Sequence, residues 1–268
     1  MKFNAKKTMI LAALALAGAA ASAQEAAPAA APAEAAPAPT NTLAYNVGVV
    51  TEYRYRGISQ TRFQPAVQGG IDFTHTSGLY IGTWASNIKW IKDDGISTGV
   101  NVKGPVEWDI YGGYRGEIVT DLSFDVGYLR YQYAGNSLAN TKVFANANTD
   151  ELYGALTYKI YTAKYSRSFS NLFGWQNSSG SGYLDLSANV DLGDGLSLVP
   201  HVGHQSVAGN GNIGSYTDYA LTLGKDYGNG FSVSAALIGT NAKLAGYASP
   251  FNDNLGKSTL VLGAKYTF

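Results

Sequence analysis

The chain has 268 residues, with 19 basic and 19 acidic side chains and a formal net charge of zero, so no basic excess points to nucleic acid. It contains no cysteine, which excludes disulfides and thiolate metal sites. Charged residues are only 14% while Gly numbers 32 and Tyr 19, a balance that suits sheet better than helix.

The first residues read as an export signal. Lys2, Lys6 and Lys7 supply the positive region, Met9 to Ala21 the apolar region, and Ala21-Ser22-Ala23 a small-x-small cleavage site before Gln24. An anchor helix is the alternative, but the apolar run is short for a span of about 20 residues. Residues 1–23 are therefore expected to be a signal peptide. Residues 24–42 are nearly all Ala, Pro, Glu and Thr and are expected to form a disordered or polyproline-like linker, with a periplasmic tether as the functional alternative. No later run approaches helical span length. A membrane protein of this sequence is then a closed barrel over residues 43–268, the other structure that satisfies every backbone group in lipid.

Period-two alternation, which puts successive side chains on opposite faces, recurs along that region. Tyr45, Val47, Val49, Thr51, Tyr53 and Tyr55 alternate with Asn46, Gly48, Val50, Glu52, Arg54 and Arg56, which predicts a first strand running to Tyr55. Its ten steps of roughly 3.3 Å, tilted by about 40–45°, span about 23–25 Å, which would place tyrosines in both aromatic girdles. After a polar turn from Gly57 to Gln64, a second strand carries Val67, Gly69, Ile71 and Phe73 on one face. A third, over 79–88, has ambiguous facing, because Tyr80 and Trp84 compete with Leu79 and Ile81 for lipid. A fourth spans Glu107 to Arg115. A fifth, Leu122 to Tyr133, slips at Leu129-Arg130-Tyr131, where a bulge is expected. The sixth and seventh, from Glu151 and Tyr161, flank a tight turn at Lys159-Ile160. The eighth alternates Leu184, Leu186, Ala188, Val190 and Leu192 with Tyr183, Asp185, Ser187, Asn189 and Asp191. A Gly193-Asp194-Gly195 hairpin leads to the ninth, where Pro200 predicts a bulge. Three more strands follow, around Tyr219, from Phe231, and from Thr259 to Phe268.

The expected fold is all-β: a transmembrane, antiparallel, up-and-down barrel of about twelve strands. Connections after odd strands are longer than those after even ones, as external loops and periplasmic turns require. A soluble sandwich or lipocalin-like barrel also alternates with period two. The export signal, the one-sided loop lengths and the C-terminal aromatic count against it.

The run Val49-Val50-Thr51-Glu52-Tyr53-Arg54-Tyr55-Arg56-Gly57-Ile58-Ser59-Gln60-Thr61 resembles the opening of the proteobacterial TorF-like porins, a family of otherwise unknown function. Similar to that family too are Pro65-Ala66-Val67-Gln68-Gly69-Gly70, Gly82-Thr83-Trp84-Ala85-Ser86-Asn87, Asp109-Ile110-Tyr111-Gly112-Gly113-Tyr114, Gly127-Tyr128-Leu129-Arg130-Tyr131, Lys164-Tyr165-Ser166 and Gly182-Tyr183-Leu184-Asp185. The resemblance covers nearly all of the chain after the linker and implies an outer-membrane barrel. Tyr266 and Phe268, with apolar residues alternating before them, resemble the signal read by the barrel assembly machinery.

Alternation places Glu52, Arg54, Arg56, Asp72, Asp109, Asp125, Lys164, Asp185 and Lys265 on the lumen face. Charged rings select ions by sign, and mixed ladders set a transverse field across a wet constriction. The alternative is that opposite charges pair and fill the interior, as small barrels allow; the inward glycines and serines favour an open, narrow pore. The expected function is passive diffusion of small hydrophilic solutes or ions across the cell outer membrane, with outer-membrane lipid, lipopolysaccharide and the assembly machinery as partners and no cofactor. A plugged structural or adhesion barrel is the alternative. A barrel hydrolase is a further one, but His75, His201 and His204 stand without a nucleophile elbow or triad spacing.

Overall fold

The computed structural model describes residues 41–268. The expected signal peptide lies outside the described residues, as does the linker apart from its last two positions. Where side chains alternate between apolar and polar with period two, the backbone is extended, and each strand pairs with the next in the chain. The wall strands are β1 (Thr42–Val50), β2 (Ala66–Thr74), β3 (Leu79–Asn87), β4 (Val106–Val119), β5 (Leu122–Gln132) and β6 (Thr149–Tyr158). They continue as β7 (Tyr161–Ser168), β8 (Gly182–Ala188 and Val190–Gly193), β9 (Leu196–Ser206), β10 (Tyr216–Asp226), β11 (Phe231–Thr240) and β12 (Thr259–Thr267). The sheet has thirteen strand pieces, and the two pieces of β8 are one strand, giving a wall of twelve. Every pairing is antiparallel. β12 closes on β1 through Asn46↔Thr267 to Val50↔Gly263, so no edge is left.

The apolar set faces outward all round. Leu184 and Leu186 are each 43% exposed, whereas Asp185 between them is 3% exposed. Leu43, Val47, Val49, Leu221, Leu237 and Leu260 share the outer surface. So large an apolar belt in water would be strongly unfavourable; it fits hydrocarbon. The ambiguity in β3 resolves the same way: Leu79 and Ile81 face out, Tyr80 and Trp84 face in. Tyr45, Tyr114, Tyr158, Tyr161, Tyr227 and Tyr266 ring one end of the belt, the end with the short turns. There Phe268 stacks on Tyr45, with ring centroids 5.9 Å apart and 12° between planes.

Three expectations are corrected. The first strand stops at Val50 rather than Tyr55, and the chain turns into the barrel at Thr51, whose backbone N–H donates to the Leu262 carbonyl at 2.9 Å. Tyr53 and Tyr55 are therefore inside, 2% and 8% exposed, and belong to no girdle. The bulge expected at Leu129-Arg130-Tyr131 is absent: β5 runs in register past Arg130↔Asp150 and Ile110↔Arg130. Leu129 and Tyr131 face in, and Arg130 faces out, where it pairs with Asp150 at 2.9 Å. The shift in that part of the wall sits instead between Glu117 and Val119 of β4. Pro200 makes no bulge either. β9 keeps register through Pro200↔Leu221, and the missing donor coincides with the break in β8 at Asn189. The shift in this strand pair lies nearer the turn, between Asp191 and Gly193.

A charge on the lipid face is costly in a depth-dependent way. Leu186→Arg, near mid-wall, is expected to lose about 2–4 kcal/mol, against about 0–1 for Val119→Arg at the turn end. Urea unfolding in lipid vesicles measures both; equal losses would mean that Leu186 does not face hydrocarbon.

Candidate channel lumen

The lumen has two halves of different character. Its loop-end half is filled by the first long loop, residues 51–65. Arg54–Tyr55 and Ile58–Ser59 pair as a minimal ribbon, Tyr55↔Ile58 and Arg54↔Ser59. The connection is Arg56-Gly57, with φ of 45° and 77°, and positive φ at both residues is the hairpin geometry that matches strand twist. Gly57 is required twice over, because a Cβ there would also strike Thr240 and Asp218 of the wall. Arg56 accepts a left-handed backbone that most residues avoid, and this holds its side chain at the ribbon tip.

The ribbon is locked to the wall by polar contacts. Arg56 Nη2 donates to Glu151 Oε2 and Arg56 Nη1 to Gln205 Oε1, each at 2.7 Å. The guanidinium lies 4.3 Å from the centroid of the Tyr183 ring and 4.8 Å from that of Tyr55. Tyr53 donates to Glu107 Oε1 at 2.6 Å, and Tyr133 to Glu107 Oε2 at 2.8 Å. Tyr55 and Tyr131 share a hydrogen bond between their hydroxyls. Arg54 pairs within the loop, Nε to Glu52 Oε2 at 3.0 Å, and donates to the Gly57 and Lys257 carbonyls. Backbone groups of the loop are also met: Tyr53 N–H donates to Thr61 Oγ1, Gln60 N–H to the Tyr53 carbonyl and Ser59 N–H to the Leu255 carbonyl.

Above the ribbon, the second loop carries helix α1 (Trp90–Thr98). Ile91 is fully buried, Trp90 meets Tyr133 edge-on at 5.3 Å, and the Gln60 carbonyl accepts from the Lys89 and Trp90 N–H groups. Arg62 reaches Asp93 at 3.2 Å. Burial pushes the Asp93 carboxyl up from its ordinary range, against the pull of Arg62, Lys89 and Lys92. A hydrophobic core runs through the same region, from Val50 and Tyr55 to Ile91, Leu138, Ala236 and Val261.

The turn-end half is lined by partly exposed ionic groups. Tyr111 donates to Asp72, and Tyr80 to Asp125 at 2.6 Å. Lys164 Nζ stands 4.4 Å from the Tyr153 ring centroid, and Arg115 5.1 Å from that of Tyr80. Lys265 faces Asp72 and Asp226.

The nine residues expected on the lumen face thus divide. Asp72, Asp125, Lys164 and Lys265 stand on the inner wall at the turn end, partly exposed. Asp109 and Asp185 stand on the inner wall nearer the loop end, 0% and 3% exposed. Glu52, Arg54 and Arg56 are inside but not on the wall; they belong to the inserted loop and are 4%, 1% and 4% exposed. The inward glycines and serines, expected to favour an open bore, leave none at the loop end: Ser234 and Ala236 are buried, and Ala236 shares an apolar cluster with Tyr53 and Tyr55 of the loop. Glu107, Glu151, Gln205 and Asp218 went unsingled, although their parity along their strands was available as the signal. His201, between Asp185 at 2.7 Å and Asp218 at 3.5 Å, joins them. His75 lies at the turn end on Ser77, and His204 faces outward onto Thr217.

A closed antiparallel wall with an apolar exterior and an ionic interior defines a transmembrane β-barrel. The fold is similar to the solved "KdgM porin in complex with disordered oligogalacturonate", at 7% identity over 85% of this chain and 99% of that one, with a TM-score of 0.52. It is likewise similar to the NanC porin, at 10% identity over the same shares, also with a TM-score of 0.52. Comparison with curated proteins finds no match. The chain belongs to the family described as "Bacterial protein of unknown function (Gcw_chp)", whose profile matches residues 34–268. That match carries this description and not the TorF-like name.

Removing one member of a buried ion pair leaves the other charge uncompensated, at about 3–5 kcal/mol. Glu151→Ala is therefore expected to release the loop and raise trypsin cleavage at Arg54 and Arg56 roughly a hundredfold or more, while the wall stays intact. Unchanged cleavage in detergent-solubilised barrel would show that Glu151 does not hold the loop.

Proposed function

We propose that the protein is an outer-membrane channel for passive diffusion of small hydrophilic solutes, resting in a form closed by its first loop. The observation that carries this reading is the turn-end lumen, where Asp72, Asp125, Lys164 and Lys265 remain partly exposed on the inner wall. A permanently filled barrel has no use for ionic groups that water reaches on the inside; a permeation path does. The likeness in fold to porins supports the same reading. In this view the described wall follows an export signal at residues 1–23 and a linker at 24–42, and Tyr266 and Phe268 are the residues read during assembly. Lipopolysaccharide and outer-membrane lipid meet the apolar belt.

A second reading, a barrel closed for good that serves a structural or adhesive role, draws on the burial of Tyr53, Arg54 and Arg56. Conductance in planar bilayers separates the two. Wild-type protein is expected to give rare, discrete current steps, and a variant with residues 53–61 replaced by a Gly/Ser linker frequent and larger ones. Silence from both, with the barrel folded by circular dichroism, would leave the structural reading.

A further inference from the structure

Charge is distributed unevenly along the lumen. The turn-end half balances Asp72, Asp125 and Asp226 against Arg115, Lys164 and Lys265. The loop-end wall carries Glu107, Asp109, Glu151, Asp185 and Asp218, and its one inward base among the described residues is His201, already shared by Asp185 and Asp218. The loop cation that meets these acids is Arg56, on Glu151, and it leaves with the inserted loop, whereas Arg54 is neutralised by Glu52 of the same loop. Any solute crossing a vacated loop-end half would meet carboxylates, and the field there favours positive charge.

The second observation is a seat with an occupant. Glu151 and Gln205 each take one Nη of Arg56 at 2.7 Å, and Tyr183 presents its ring face 4.3 Å from the guanidinium carbon. Those three groups all belong to the wall. Two oxygen acceptors set for neighbouring N–H donors beside an aromatic face recognise a flat organic cation in particular. Closing the bore over a buried Glu151 calls only for a positive charge; the second acceptor and the ring face add a preference for a planar one.

Resting on the channel reading above, we propose that the loop-end lumen is a binding seat for organic cations of the guanidinium class, with Arg56 as its built-in occupant. A solute of this class takes the Glu151–Gln205–Tyr183 seat as the first loop withdraws, so the permeating species both opens the path and is selected by it. Arg56 acts as an internal competitor, and the channel passes cations in preference to anions.

The test is recording from full-length protein in planar bilayers under a potassium chloride gradient, with methylguanidinium chloride as the probe. Reversal potentials are expected on the cation side for wild type and for Arg56→Gln, which should open severalfold more often. Methylguanidinium, well below denaturing concentration, is expected to raise wild-type opening severalfold over sodium at equal ionic strength. Glu151→Gln is expected to lose that response. Current that reverses at zero or on the anion side, or openings indifferent to methylguanidinium, would overturn the inference while leaving a channel. Absence of current from every folded variant would remove the channel reading and this inference together. Should Arg56→Gln fail to fold, the wild-type comparison of methylguanidinium with sodium decides alone.

Discussion

Everything in this molecule depends on the hydrogen bonds that join β1 to β12. In hydrocarbon an unpaired backbone N–H or carbonyl costs several kcal/mol, so an open twelve-stranded sheet could not remain there. Once the ring is shut, each strand has neighbours on both sides, and side-chain direction becomes the one variable left to the sequence. That variable is used consistently: Leu184 and Leu186 out, Asp185 in, and the same choice repeated around the wall. The inward set then shares a narrow, low-dielectric interior, where polar groups must find one another.

The inserted loop is the answer to that requirement at one end. A buried glutamate such as Glu107 or Glu151 would be costly if left alone, and each is met by groups the loop brings, Tyr53 and Arg56 respectively. The small inward residues of β10 to β12 complete the fit, since bulk there would exclude the ribbon. The plug is held by hydrogen bonds and ion pairs as well as by packing.

Much of the wall was legible because alternation reports facing directly, and the alternation of long and short connections reports which end is which. The failures share a cause. Tyr53-Arg54-Tyr55-Arg56 alternates as cleanly as Tyr45 to Val49, but a ribbon standing inside the lumen has the same period as a strand in its wall. Only the Arg56-Gly57 pair, a hairpin turn signal, distinguished them. At Leu129 and Tyr131 the interior itself is apolar, because Tyr55 and Phe173 pack there, and an inward aromatic imitated a slip in phase. At Pro200 the ladder lost a bond without changing register. The lumen's pairings were beyond reach for another reason: Tyr53 and Glu107 lie 54 positions apart and Arg56 and Glu151 lie 95 apart, and periodicity says which side a residue faces, not what waits opposite.

The seam between β1 and β12 also bears on how the wall comes into being. Its two partners are the earliest and the latest strands to emerge, and Phe268 stacks on Tyr45 at that junction. Until the final strand is available, the growing sheet carries two bare rims, each a template for pairing with a stray chain. The wall is therefore completed only when β1 meets β12, the two strands farthest apart along it, rather than by the addition of one more hairpin.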